Sequence, residues 1–302
     1  MKKANIQPFV AVGGILAVAV LISLAGSQVG ESFGGIRVFA LCAIIAFAIQ
    51  WLASVPAYYA QTERFFDLTG SITYITVAVV GVVAVGNWEP RSLVIAGLVI
   101  AWAVRLGWFL FQRVRRSGGD RRFDSIKPHF PSFFLTWTLQ GLWVLLTAAA
   151  GLAAITTAKP GALEWTALVG IAVWAVGFVI EAVADAQKHA FRSDPAHGDR
   201  FIQSGLWAWS RHPNYFGEIV IWVGIAVIAA PALTGWQWVT MVSPVFVFVL
   251  LTRVSGIPIL ERQAGARWGD DQDYREYRTK TPVLVPRPPA TNARGRHAKG
   301  GL

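Results

Sequence analysis

The sequence predicts an all-α, polytopic membrane bundle of about eight transmembrane helices. Three observations carry that prediction. Hydrophobic residues make up 54% of the 302-residue chain and charged ones only 15%, with a mean hydropathy of +0.48. A soluble domain cannot bury that much apolar surface. The apolar residues fall in runs near the roughly 20 residues that cross a bilayer. The basic residues gather in alternate gaps between those runs, as a fixed membrane orientation requires.

The runs come in order as 8–26, 36–60, 71–86, 92–111, 132–156 and 164–183. A further stretch, 216–252, is too long for one helix, and PALTG at 231–235 breaks it into a hairpin of two short spans. The start, MKK before an apolar run, has no small-x-small cleavage site and reads as an uncleaved first helix. Residues 287–302 are rich in Pro, Gly and Arg without periodicity, which predicts a disordered basic tail. Cys42 is the only cysteine, so no disulfide forms within the chain.

With eight spans, one side holds both termini and the loops after spans two, four and six. That side carries 23 of the 27 Lys and Arg residues, against Arg37, Arg91 and Lys159 on the other, while Arg105 lies inside a span. The rule that cytoplasmic loops are basic makes the first side cytoplasmic. The net charge of +10 is mostly this bias, so no nucleic-acid partner is inferred from it.

Five polar clusters exceed what topology explains. In IEAVADAQKHAFR, Glu181, Asp185, Lys188, His189 and Arg192 share one helical face that begins within about a turn of the apolar core, where charge is costly. In RHPNYFGE, Pro213 suits a first helical turn, and Asn214 and Glu218 lie four apart, one turn before Trp222. Arg211, His212 and Tyr215 stand beside them. Arg105 sits inside span four with Trp108 and Gln112 on its face and Arg113 just beyond. A membrane arginine requires a carboxylate or a bound anion. Asp67 lies among aromatics in ERFFDLTGS, as a helix cap or as a site residue, with Ser71 an equal candidate cap. Tyr274, Tyr277 and Arg278 share a face in DQDYREYRTKTPVLVP.

All five clusters emerge on the cytoplasmic side and together suit one cavity that takes a polyanionic, water-soluble cofactor and a substrate dissolved in the bilayer. No Walker loop, GxGxxG or GxSxG is present, and the five histidines show no HxxxH, so no metal is expected.

DAQKHAFR, GLWAWSRHPNYFGEIVIW, WAVRLGWFLFQR and YREYRTKTPVLVP resemble the steroid 5-alpha-reductase superfamily, in its bacterial branch of uncharacterised integral-membrane proteins. Isoprenylcysteine carboxyl methyltransferases and sterol C14-reductases carry similar strings. The resemblance covers about residues 60–286. It implies a helical membrane domain with NADPH, or S-adenosylmethionine in the methyltransferases, in a cytosolic cavity. Asp185, Arg192, Asn214 and Glu218 match cofactor-binding positions, and Arg105 and Arg253 fall at cofactor-contacting arginines. Arg113, Lys188, Arg211, His212, Tyr215 and Tyr274 complete the expected cofactor set. Asp67 falls where steroid reductases place a glutamate that holds the substrate ketone. The tyrosine expected three residues before the span-four arginine is Trp102 here, so Tyr58, Tyr59 or Tyr74 would supply the hydroxyl. Asp67, if protonated, and Tyr74 are therefore the catalytic candidates.

The expected organisation is 1–60 as N-terminal transmembrane helices, 61–286 as the catalytic membrane domain and 287–302 as the tail. The expected function is NADPH-dependent hydride transfer to the C=C bond of a steroid-like or other lipophilic enone, in a bacterial inner membrane with both termini cytoplasmic. Partners would be that substrate and membrane lipids, with no protein partner indicated. A methyltransferase using S-adenosylmethionine and a non-catalytic lipid-binding protein are the alternatives.

Overall fold

The computed structural model describes residues 6–86, 88–117, 119, 123–158 and 161–289, apart from the side chains of residues 116 and 117. The tail from residue 290, Lys2, Lys3, Arg121, Arg122 and Lys159 lie outside the described residues.

The architecture is all-α. The helices are α1 (Gln7–Gly26), α2 (Val38–Tyr59), α3 (Phe66–Val85), α4 (Pro90–Ser117), α5 (Phe130–Thr156), α6 (Trp165–Ser193), α7 (Pro213–Ala229), α8 (Val242–Val249), α9 (Gly256–Trp268) and α10 (Gln272–Lys280). Among the described residues, eight apolar helical runs are long enough to cross a membrane, the last two being Pro213–Ala232 and Gly235–Trp268. The chain is an integral, multi-pass membrane protein, and the break at 231–235 falls where the sequence puts it.

Three helices extend beyond the apolar spans, each for a local reason. α3 starts at Phe66 rather than 71, with no side chain capping it; Asp67 sits in the first turn, where a carboxylate complements the helix dipole. The cap expected from Asp67 or Ser71 is therefore not made, and Ser71 Oγ donates to the Asp67 carbonyl at 3.3 Å instead. α4 and α6 run past 111 and 183 because nothing breaks them before the glycines at 118–119 and the Asp194-Pro195 pair. A two-stranded hairpin, β1 (Ser32–Phe33) and β2 (Ile36–Arg37), also joins α1 to α2. Gly34 and Gly35 turn it at φ 57° and 82°, the left-handed pair that a two-residue hairpin turn needs.

The chain divides into two compact units. The first is Met1–Ala172 with Trp222–Phe246, and the second is Val173–Ile221 with Val247–Leu302.

In the first unit α5 is central, packed by α1, α2, α3 and α4 and buried almost throughout from Val144 to Thr156. An all-round apolar helix can only sit there. Several polar groups inside the unit find partners within it. Gln50 Nε2 donates to Thr73 Oγ1 at 2.8 Å, Gln140 Nε2 to the Phe66 carbonyl at 3.1 Å, and Trp51 Nε1 to Thr138 Oγ1 at 3.1 Å. Arg91 is 1% exposed at the start of α4 and donates to the carbonyls of Ile228 (2.7 Å) and Ala162. It thereby holds the end of α7 and the lead-in to α6.

The second unit packs Ala184, Ile202 and Trp207 as its core, under Phe191 and Leu206. Trp207 Nε1 donates to the Ala184 carbonyl at 3.0 Å, and its own carbonyl accepts from Tyr277 Oη at 2.7 Å. Asp271 caps α10 by accepting from the amides of Asp273 and Tyr274. Before α9 the chain makes one π-helical turn, Leu250–Val254, in which the Ser255 amide donates to the Leu250 carbonyl at 2.9 Å.

Candidate active site

The second unit gathers most of the predicted cofactor residues, and two glycines explain why. A Cβ on Gly177 of α6 would meet the Gly217 carbonyl and the Ile221 amide at 2.7 Å each. One on Gly217 would meet the Glu181 amide at 2.7 Å. α6 and α7 therefore cross with backbones in contact, as only small residues permit. This close crossing draws the polar faces of both helices together. Asn214 Nδ2 donates to Asp185 Oδ1 at 3.2 Å. Glu181, Asp185 and Glu218 are all buried, at 2%, 5% and 9% exposure. Helical spacing aligns each face, and the glycines bring the faces together.

Beyond this crossing lies a pocket of about 170 Å³. Lys188, Arg192 and Arg211 line it together with the rings of Phe201, Trp207 and Tyr274. Lys188 Nζ stands 4.4 Å above the Trp207 ring, a cation–π contact. Tyr274 is 3% exposed, with its ring edge-on to Phe201 at 5.1 Å. Burial raises the hydroxyl pKa of Tyr274 and Tyr277, so both stay neutral donors. Cations with flat rings suit a ligand that carries both phosphates and ring systems. The volume is below the roughly 300–1,000 Å³ of common ligand sites.

Glu261, in α9, organises the pocket wall. Its carboxylate pairs with Arg211, accepts from His212 Nε2 at 2.9 Å and stands 3.8 Å from Arg278. The His212 ring stacks on Tyr215, 5.7 Å away and within 10° of parallel. Burial lowers the His212 pKa, outweighing the attraction of Glu261. Sequence reasoning missed Glu261. Its only signal was an acid directly after the apolar GIPIL. Arg253 stays exposed on the π-helical turn and does not line the pocket, against expectation. That turn directs it outward.

The remaining candidates belong to the first unit. Tyr74 is 6% exposed, edge-on to Trp102 at 5.1 Å, and Trp102 is edge-on to Trp222 at 4.9 Å. Tyr58 instead packs on Phe130 and Phe133, and Tyr59 is 83% exposed. Of the three tyrosines weighed as a replacement for the residue at 102, Tyr74 is the one beside it. Arg105 is half-buried one turn along α4 from Trp102, while Trp108, expected on the same face, is 63% exposed. Asp67 Oδ2 pairs with Arg113 Nη2 at 3.5 Å. That ion pair uses an ionised carboxylate, whereas a proton donor at Asp67 needs the neutral acid. Arg113 thus stands with Asp67. At the same end Glu63, 6% exposed, pairs with Lys127 at 2.8 Å, an ion pair the sequence reading did not single out. Among the described residues no group of three or more His, Cys, Asp or Glu is placed to hold a metal ion.

Comparison with known proteins bears on the whole chain. An uncharacterized protein of Schizosaccharomyces pombe is 25% identical over 230 residues, 65% of this chain and 64% of that protein. The 3-oxo-5-alpha-steroid 4-dehydrogenase 1 of Bos taurus is 31% identical over 122 residues, 39% of this chain and 41% of its own length. The Delta(14)-sterol reductase of Methylotuvimicrobium alcaliphilum is 28% identical over 144 residues, 40% of this chain and 30% of that protein. The chain thus spans less than two thirds of the length of these curated relatives. No solved structure matches. The family described as "Protein of unknown function (DUF1295)" matches residues 55–281, a stretch that holds every candidate above, and the chain belongs to that family, within the steroid 5-alpha-reductase-like superfamily.

Proposed function

We propose that the chain is a membrane-embedded reductase that uses NADPH to reduce the C=C bond of a lipophilic enone. The α6–α7 crossing carries this reading, because it buries an Asn–Asp hydrogen bond one turn from a buried glutamate. Asn214 offers both a donor and an acceptor to a carboxamide, and Glu218 accepts from its NH2. Lys188, Arg192 and Arg211 supply cations for phosphates, and Trp207 and Tyr274 supply ring faces. Two relatives whose names denote a steroid dehydrogenase and a sterol reductase support the same class of reaction.

NADPH, when bound, supplies the hydride that goes to the enone β-carbon. The chain orients the reactants, excludes water and supports the oxygen on which negative charge develops. Tyr74 is the donor to that oxygen. A phenol holds its proton at neutral pH, and the ring is fixed by Trp102. Asp67, in its ion pair with Arg113, positions rather than donates. The 23-to-3 charge bias supports an inner-membrane location with both termini cytoplasmic. A reporter fused after Leu302 is expected to be active only as a cytoplasmic one.

The test is a thermal shift of detergent-solubilised protein with NADPH, NADH and S-adenosylmethionine. NADPH should raise the melting temperature as a ligand of the folded state does. A shift with S-adenosylmethionine alone would make the chain a methyltransferase. No shift with any of the three would leave a lipid-binding protein without catalysis.

A further inference from the structure

A second cavity in the second unit shares only Arg211 with the pocket assigned to the cofactor. It holds about 510 Å³. Arg211, Arg278, Lys280 and Arg287 line it with Thr279 and Thr281, and no described carboxylate does. Its walls are fixed by the chain. The Arg211 amide donates to the Pro282 carbonyl and the Arg287 amide to the Trp209 carbonyl, both at 2.9 Å. Ser210 Oγ donates to the Leu284 carbonyl at 2.7 Å. The strap that follows α10 is thereby clamped to the residues leading into α7, and the four cations converge from two stretches distant in sequence, Arg211 and 278–287.

Charge bookkeeping narrows the ligand. Glu261 engages Arg211 and approaches Arg278, and Glu276 engages Lys280, so four cations meet two carboxylates. Two positive charges remain. A phosphomonoester carries about two negative charges at pH 7, whereas a phosphodiester carries about one. In addition, the Nε of Arg211 is buried without an acceptor among the described residues. Such a donor is expected to find one.

We propose that this groove binds a phosphomonoester, with Arg278, Lys280 and Arg287 holding its oxygens and Arg211 closing the inner wall. Guanidinium groups take phosphate oxygens in pairs, which gives geometry as well as charge. The group has two chemical sources: the ribose phosphate of a soluble nucleotide, or a lipid phosphomonoester such as phosphatidate. The lipid source is independent of the nicotinamide reading, whereas the nucleotide source rests on it, because Arg211 also lines the cofactor pocket.

The full-length protein in detergent would be titrated calorimetrically with inorganic phosphate at low salt. Saturable binding is expected, and Arg278→Gln and Arg287→Gln should each weaken it about tenfold. Displacement of phosphate by 2′,5′-ADP but not by adenosine would identify the nucleotide source. Loss of phosphate binding in nanodiscs when phosphatidate replaces phosphatidylcholine would identify the lipid source. Either result supports the groove. Equal phosphate affinity in wild-type protein and in both variants, each melting at the wild-type temperature, overturns it. Should the variants not fold, phosphate protection of Arg287 from phenylglyoxal in the wild-type protein is the measure, and absent protection overturns the site. Neither readout involves a nicotinamide or an enone, so its failure is separate from failure of the reductase reading.

Discussion

Arg91 in the first unit and Arg211 in the second are both nearly buried, and the chain uses them differently. Arg91 spends its terminal nitrogens on main-chain carbonyls at the end of α7 and before α6. Arg211 shares one carboxylate with a histidine and faces two cavities. The same contrast holds for their surroundings. In the first unit, Gln50 pairs with Thr73 and Trp51 with Thr138 inside a packed core. In the second, carboxylates, cations and rings collect around open volume. Buried polar groups of the first unit thus meet one another in packed helices, and those of the second border open volume.

Substitutions can break that division, and the largest effect belongs to Arg91. Arg91→Met leaves two buried carbonyls unpaired and should cost about 2–5 kcal/mol, read as a large drop in melting temperature in detergent. A near-wild-type melt would show that the first unit does not depend on it. Tyr74→Phe comes next. It keeps the ring against Trp102 and removes the donor, so the fold should survive while turnover of an enone falls about 100–1,000-fold. Wild-type turnover would return the role to Asp67. Glu218→Ala tests the second unit. NADPH affinity should weaken by about 1.5–3 kcal/mol, with Glu218→Gln weakening it less and the ligand-free melt little changed. A variant that melts early yet binds normally would make Glu218 a fold residue and erase the contrast.

The smallest effect is a pH dependence. Burial holds the His212 pKa below its ordinary 6.5. The unfolded chain then takes up a proton that the folded chain refuses. Stability is full above pH 6.5 and is lost as pH falls from there through the folded value. His212→Asn should flatten that limb of melting temperature against pH. An unchanged slope would mean that other groups set it.

The spans were legible because hydropathy over twenty residues needs no tertiary information. The Asp185 and Asn214 faces were legible for a similar reason, since helical spacing alone aligns them. What escaped depends on contacts remote in sequence. Glu261 becomes important only when α9 brings it to Arg211, fifty positions earlier. The choice of Tyr74 over Tyr58 and Tyr59 required knowing which ring lies on Trp102. The early start of α3 escaped because Phe66 and Asp67 open the helix ahead of its apolar stretch, and no capping side chain marks the place.

The π-helical turn before α9 has an evolutionary consequence. A helix advances about 100° per residue, so one extra residue in Leu250–Val254 rotates everything after it by about that angle. Glu261 faces Arg211, His212 and Arg278 on this rotated side. Deleting a single residue from the turn would swing the acid a quarter-turn away and release both the arginine and the histidine. The register of Glu261 is thus tied to the length of this turn. A relative that lacks the extra residue has to hold the arginine with an acid at another register. A gap in this stretch of an alignment would then mark a change in the site itself.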